Sequence, residues 1–276
     1  MIPAGRSGAT GENDTVLPAD LTRALDVLAA TPNLLVVSDF DGTLAPIVND
    51  PLAARALPAA AQALSGLADL PDTSAALVSG RALGVLRELS AMPPAVHLVG
   101  SHGAEFDASG QERSDSGNLQ GFTQDVDEAL LQRVIGELND IAEGRPGVTV
   151  ETKPASAALH VRNASPADAE AALEAARGAA TAWDVHATAG KAVLEFAVVS
   201  TDKGHAVDVL RDQIGATAVL FLGDDVTDEK AFRRMRDGDV GVKVGPGDTA
   251  AVFRVDAPDD VADALAYVLA VRSHRG

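Results

Sequence analysis

Two aspartates, Asp39 and Asp41, stand two residues apart directly after an aliphatic run at 34–37. On an extended chain that spacing sends both side chains to one side. Gly42 follows and permits a sharp turn. Paired carboxylates can bind a hard cation, pass protons or act as a nucleophile. An Asp-Gly turn after a strand explains the same string without chemistry. Further along, Ser79 closes a second aliphatic run, Lys203 opens a helical stretch, and Asp224 and Asp225 end a third run with Asp228 close by. Singly, Ser79 and Asp228 read as helix caps and Lys203 as a solvated cation. Together they share one property: each falls at a strand end or a helix start.

The elements that position them follow a strand–helix rhythm. Aliphatic runs at 34–37, 75–78 and 96–99 alternate with helical stretches at 59–68 and 83–89, and Leu21, Leu25 and Leu28 share one face of an earlier helix. This predicts an α/β fold with a parallel sheet and right-handed crossovers. Open sheets of that kind place ligands beyond the carboxyl ends of their strands, where Asp39 and Asp41 fall. The rhythm changes after a polar linker at 107–118. A helix at 122–141, strands at 148–153 and 158–162, a helix at 166–180 and strands at 183–187 and 192–197 read as an inserted α+β unit. The first rhythm returns with helices at 202–214, 228–235 and 259–271 and strands at 219–222, 240–244 and 252–255. The expected division is a disordered lead-in at 1–17, a catalytic core from 18–113 and 199–276, and a cap at 114–198.

The chain has 276 residues, net charge −18, 46% hydrophobic and 3% aromatic content, and no cysteine. An Ala-, Val- and Leu-built core follows, without disulfides or thiolate metal sites. The acidity argues against nucleic acid as a partner. Neither a basic start with an apolar h-region nor a membrane-length apolar run is present. The expectation is a cytoplasmic monomer acting on a small molecule, with no membrane partner.

The four signals, in this order, resemble the haloacid dehalogenase-type phosphatases. The resemblance implies a Rossmann-like parallel-sheet core of that type with an inserted α+β cap. It implies that Asp39 is the nucleophile, forming an aspartyl phosphate, and that Asp41 protonates the leaving alcohol and then activates water. Ser79 and Lys203 would hold the phosphate oxygens. Mg²⁺ would be bound by Asp39, the carbonyl of Asp41 and Asp224, with Asp228 as a further ligand or a carboxylate just behind the ligands. The physical need is clear: a carboxylate attacking a phosphate dianion must have the repulsion removed by cations.

Longer strings narrow the resemblance. Residues 38–47, 77–81 with Arg81, 100–105 with His102 and Glu105, and 221–229 are similar to the trehalose-6-phosphate phosphatases. In the insertion, Glu151, Lys153, His160, Arg162, Lys191 and Glu195 also resemble that family, which implies a sugar-reading role for all of them. The alternation places Glu151 with Lys153, and His160 with Arg162, on strand faces that can present four polar groups together; cross-strand ion pairs explain the same pattern. Trp183 reads as cap core. In one place the chain departs: the family continues past Glu195 with an Arg-Pro pair before the Lys-Gly, whereas residues 196–204 of this chain, which run to Lys203 and Gly204, contain no such pair. The implied reaction is hydrolysis of trehalose 6-phosphate. The rivals are a phosphatase for sucrose phosphate or a glycosyl phosphoglycerate, a phosphomutase, and a non-catalytic regulatory partner of a sugar-phosphate synthase.

Overall fold

The computed structural model describes residues 17–107, 126–153, 155–198 and 201–275. The expected lead-in apart from Leu17, and the expected linker apart from Asp107, lie outside the described residues, as does the proposed 113/114 boundary.

The chain begins with α1 (Ala19–Leu28) and β1 (Leu34–Ser38), then α2 (Pro58–Ala68), β2 (Thr73–Val78), α3 (Leu83–Ser90), β3 (Val96–Gly100) and a short β4 (Glu105–Phe106). After an insertion it resumes with α6 (Lys203–Ile214), β9 (Ala218–Gly223), α7 (Asp228–Phe232), β10 (Val240–Val244), β11 (Phe253–Val255) and α8 (Pro258–Ser273). These strands form one seven-stranded sheet in the order β11-β10-β9-β1-β2-β3-β4. All neighbours are parallel except β3 and β4. Residues 105 and 106 carry too little pattern to announce the antiparallel edge.

Strand β1 is aliphatic from Leu34 to Val37 because both of its faces are covered. Leu34 and Val36 pack with Leu21, Leu64 and Leu265, from α1, α2 and α8, on one side. Leu35 and Val37 pack with Val207, Leu210 and Phe232, from α6 and α7, on the other. Full burial of each such side chain stabilises by about 1.5–3 kcal/mol. At the amino ends of the strands, the Arg272 guanidinium gathers the carbonyls of Ala29, Thr31, Pro32 and Asp72 and the Thr73 hydroxyl. That ties α8 to the entries of β1 and β2.

The insertion carries α4 (Glu128–Ala142), β5 (Thr149–Lys153), β6 (Ser156–His160), α5 (Pro166–Ala180), β7 (His186–Gly190) and β8 (Val193–Ala197). The two expected hairpins merge into one antiparallel sheet, β5-β6-β8-β7, through pairing of β6 with β8. One face lays Leu159, Leu194 and Phe196 against Val134, Leu138, Ala172 and Ala176 of the helices. Trp183 closes this core edge-on to Phe196, with ring centroids 5.2 Å apart. It precedes β7 rather than opening it, so that strand starts three residues later than its apolar start suggests. Likewise β6 ends at His160, which leaves Arg162 in the following turn and not on the shared strand face. Helix α7 is also shorter than expected.

Candidate active site

The backbone N–H of Asp39 bonds the Leu222 carbonyl at 2.9 Å, which carries the β1–β9 register one residue past Ser38. Asp39 is thereby set beside the loop after β9. Gly42 has φ +86°, and a Cβ there would lie 2.2 Å from Asp224 Oδ2, so only glycine leaves room for that carboxylate. Ligand oxygens of Asp39, Asp224 and Asp228 all lie within 4.8 Å of one another. Into this group reaches Lys203, 1% exposed, 2.8 Å from Asp39 Oδ1 and 2.7 Å from Asp228 Oδ1.

Asp228 is the brace. Its Oδ2 accepts the backbone N–H groups of Asp224 and Asp225, each at 2.9 Å, and its Oδ1 takes Lys203. Asp225 in turn accepts from the Thr227 backbone and hydroxyl and from the Asp228 backbone. A second buried lysine, Lys243 on β10, donates to the backbone carbonyls of Asp224 and Val244. Sequence reasoning missed it. The signal was present: a lone cation inside the apolar run 240–244.

Burial decides the electrostatics. It pushes Asp39 up to about 7 against the pull of Lys203, and Asp228 up to about 8 with the Asp39 charge adding to it. Burial and the Asp228 charge raise Asp224 as well. For Lys203 burial acts downward, but Asp39 and Asp228 outweigh it and hold the ammonium well above its usual value. Asp225 is lowered to about 2: burial opposes, and the charge of Lys203 wins. Three crowded carboxylates against one lysine leave a site short of positive charge. Their all-oxygen donor set fits a hard divalent cation.

Asp41 is held by a fork: Arg81 Nε and Nη2 lie 2.5 and 2.6 Å from its two oxygens, and the guanidinium sits 5.7 Å over the Phe40 ring. Ser79 is 2% exposed, and its Oγ accepts the Arg81 backbone N–H at 3.2 Å. His102 packs against Gly80, where an added Cβ would meet its ring at 2.4 Å. Its backbone is left-handed, with φ +54°. Burial, then Lys203, lowers its ring to about 4, so the imidazole is neutral. Glu105 turns back onto its own loop, accepting from Ser101 Oγ and the Leu83 N–H.

The open face of the cap sheet is polar and meets this edge across a cavity of about 320 Å³. Core residues His102, Asp202 and Lys203 line one side; Ser156, His186, Thr188 and Glu195 line the other. Glu195 Oε1 accepts from Lys153 Nζ at 3.0 Å and Ser156 Oγ at 2.7 Å. Burial opposes ionisation of Glu195, yet Lys153 and Ser156 hold its carboxyl below the usual range. Glu151 instead pairs with His160 at 2.8 Å, both about half exposed, while Arg162 and Lys191 are exposed in turns. The four polar groups expected together thus divide: Lys153 joins Glu195, Glu151 joins His160 as a cross-strand pair, and none of Glu151, His160, Arg162 and Lys191 lines the cavity. Ala197 lies opposite both Ser156 and His186. His186 and Thr188 escaped notice because their strand was expected to start at Trp183.

The sequence profile of the trehalose-phosphatase family matches residues 37–259, which includes every group just described. A trehalose-phosphate phosphatase of Mycobacterium leprae is 32% identical over 89% of this chain, and the chain spans 61% of that relative's length. An Aspergillus fumigatus trehalose-6-phosphate phosphatase superposes with TM-score 0.66 at 27% identity, covering 91% of this chain and 97% of that one. The C-terminal domain of the C. albicans trehalose-6-phosphate phosphatase shares the fold, with TM-score 0.70, 24% identity and 94% and 99% coverage. The aspartate–lysine nest at the strand ends, the polar cap face above it and these likenesses coincide on the same residues: the chain belongs to the trehalose-phosphatase family.

Proposed function

We propose that the protein hydrolyses trehalose 6-phosphate to trehalose and phosphate, in the cytoplasm, a setting its cysteine-free composition suits. The observation that carries this reading is the convergence of Asp39, Lys203 and Asp224 at one strand end beneath a polar cap face. Asp39 attacks phosphorus through a carboxylate oxygen, the bond to the sugar oxygen breaks, and Asp41 supplies the proton that oxygen needs. Asp41 then takes a proton from water, which attacks the aspartyl phosphate and releases phosphate, restoring the Asp39 carboxylate and the Asp41 carboxylic acid. Lys203 and Ser79 hold the phosphate oxygens, where transition-state charge must be stabilised. Asp39, Asp224 and the Asp41 carbonyl would hold Mg²⁺, with Asp228 contributing mainly through the loop it braces. When bound, Mg²⁺ offsets the negative charge shared by nucleophile and phosphate and fixes their alignment. Arg81 must let go of Asp41 for the proton transfer, and the arriving phosphate offers the guanidinium a competing anion.

The test is phosphate release from trehalose 6-phosphate, with Mg²⁺ and with chelator, beside glucose 6-phosphate and sucrose 6-phosphate. Metal-dependent release from trehalose 6-phosphate above the other two is expected. Preference for another sugar phosphate would overturn the substrate and keep the chemistry. No release from any of them by folded protein would favour a regulatory role.

A further inference from the structure

A phosphate dianion that approaches this site meets an unfavourable field, because the chain carries net charge −18. Screening limits what the phosphate feels to charges within about 8–10 Å at ordinary ionic strength, so the groups at the cavity mouth decide. Carboxylates are plentiful there: Asp225 beside Lys203 is about half exposed, and Asp202 and Glu195 belong to the cavity wall. The cations of the site are already engaged. Lys203 is buried, Arg81 is forked onto Asp41, and Lys153 is bound to Glu195. One exposed cation stands at the wall: Lys230, which projects from α7 and lines the cavity.

Lys230 has company. Lys230, Arg233, Arg234 and Arg236 fall within seven residues of a chain whose acidic residues outnumber its basic ones by 40 to 22. The Arg233 N–H bonds the Glu229 carbonyl, so the helical turn continues to 233, and Arg233 lies on the Lys230 side of it. Structure accounts for two of the four: Arg234 and Arg236 both hold Asp208 of α6, at 2.9 and 3.1 Å. It does not account for the others. Lys230 Nζ stands 3.9 Å from Asp202 Oδ2, at the limit of an ion pair. Arg233 makes no ion pair with any described residue, and both side chains are exposed. Gly204 fixes this pair against the site. A Cβ there would lie 2.6 Å from the Lys230 carbonyl oxygen and 2.7 Å from Arg234 Cδ. Its bare backbone lets α7 press onto the first turn of α6, next to Lys203.

We infer that Lys230 and Arg233 form a capture site for the substrate's phosphate dianion at the cavity mouth, from which the phosphate passes inward to Lys203. This rests on the reading of the site as a sugar-phosphate phosphatase, and on the phosphate half of that reading alone. The attraction grows with the charge of the ligand and falls as salt screens it. A local positive field of this kind raises the concentration of the anion at the mouth against the field of the whole chain. It acts before the reacting groups engage, so it lowers KM and leaves the chemical step alone.

The experiment compares the parent enzyme with two double variants: Lys230→Gln with Arg233→Gln, and the charge-keeping Lys230→Arg with Arg233→Lys. KM and kcat for trehalose 6-phosphate are measured at about 0.02 M and about 0.5 M sodium chloride, where screening is weak and strong. Affinity for inorganic phosphate, with Mg²⁺ present, is measured by calorimetry at the same two salts. At low salt the glutamine pair should raise KM and weaken phosphate binding roughly fivefold, and at high salt both gaps should close to within about twofold. Its kcat and melting temperature should stay at parent values, and the charge-keeping pair should match the parent throughout. Parent KM and parent phosphate affinity in the glutamine pair at low salt would overturn the capture site. So would a gap that salt leaves open, or one that the charge-keeping pair shares, since either points to shape and not to charge. A parent that ignores trehalose 6-phosphate, yet binds phosphate in a way the glutamine pair weakens at low salt, would overturn the sugar reading and keep the capture site.

Discussion

At the scale of single residues, the site is a set of charges whose neighbours decide their state. Asp41 is the clearest case: in the proposed reaction it gives up a proton in one step and takes one up in the next, while in the structure Arg81 grips both of its oxygens. Asp41→Asn keeps the shape and removes the acid. Turnover of trehalose 6-phosphate should fall by about 10²–10⁴ with substrate binding nearly intact, as read by steady-state rates and by competition binding. His102 makes a different prediction. Its ring pKa is lowered in the fold to about 4, whereas an unfolded histidine titrates near 6.5. Between those values the unfolded chain binds the extra proton, so this residue costs stability as pH falls from about 6.5 toward 4. Asn tolerates the left-handed backbone at this position. His102→Asn should therefore lose about 2 kcal/mol less than the parent between pH 7 and pH 5, measured by urea unfolding. Asp39, Asp41, Lys203 and Asp224 were legible because each follows a local pattern change. The Arg81–Asp41 fork was not, since nothing in either neighbourhood shows where a residue forty positions away will point.

At the scale of elements, the strand ends and the loops after them do the positioning. Gly42 permits the turn and clears space for Asp224. Gly42→Ala adds about 1–2 kcal/mol of left-handed strain and sets a methyl where the carboxylate belongs. Metal-dependent activity should drop at least a hundredfold, with a weaker metal midpoint in Mg²⁺ titrations. Lys243 acts from the neighbouring strand by holding the Asp224 carbonyl. Groups that orient metal ligands typically change affinity by about 10–100-fold when removed, so Lys243→Met should weaken Mg²⁺ binding by that order in calorimetry. The core strands were readable because aliphatic runs buried on both faces leave a strong imprint. The cap strands were less so. Most of their residues are small or polar, the strand bounds came out displaced by up to three residues, and Arg162 moved from a strand face to a turn. The pairing of β6 with β8 is set by packing against α4 and α5, which no short window contains.

At the scale of the whole molecule, the sheet divides its labour between its two ends. The carboxyl ends carry the aspartate–lysine cluster, and the amino ends carry the Arg272 clamp. Arg272→Ala should lower unfolding free energy by about 1–3 kcal/mol while leaving KM and kcat at parent values, as measured by urea unfolding beside steady-state kinetics. Among the described residues no helix is long and apolar enough to cross a membrane.

The sheet order also sets a timetable. Strand β1 finds one neighbour soon, since β2 follows it closely, but its other edge is completed only by β9, where Leu34 pairs with Ala218. On a ribosome the chain must grow by roughly 180 further residues first, which takes about ten to forty seconds at 5–20 residues per second. For that interval the strand that leads into Asp39 has an open apolar edge, the kind that recruits strands from other chains. The insertion between its two partners, whatever it does for the sugar, lengthens that wait and makes the nascent chain a client for whatever shields exposed strands in the cell.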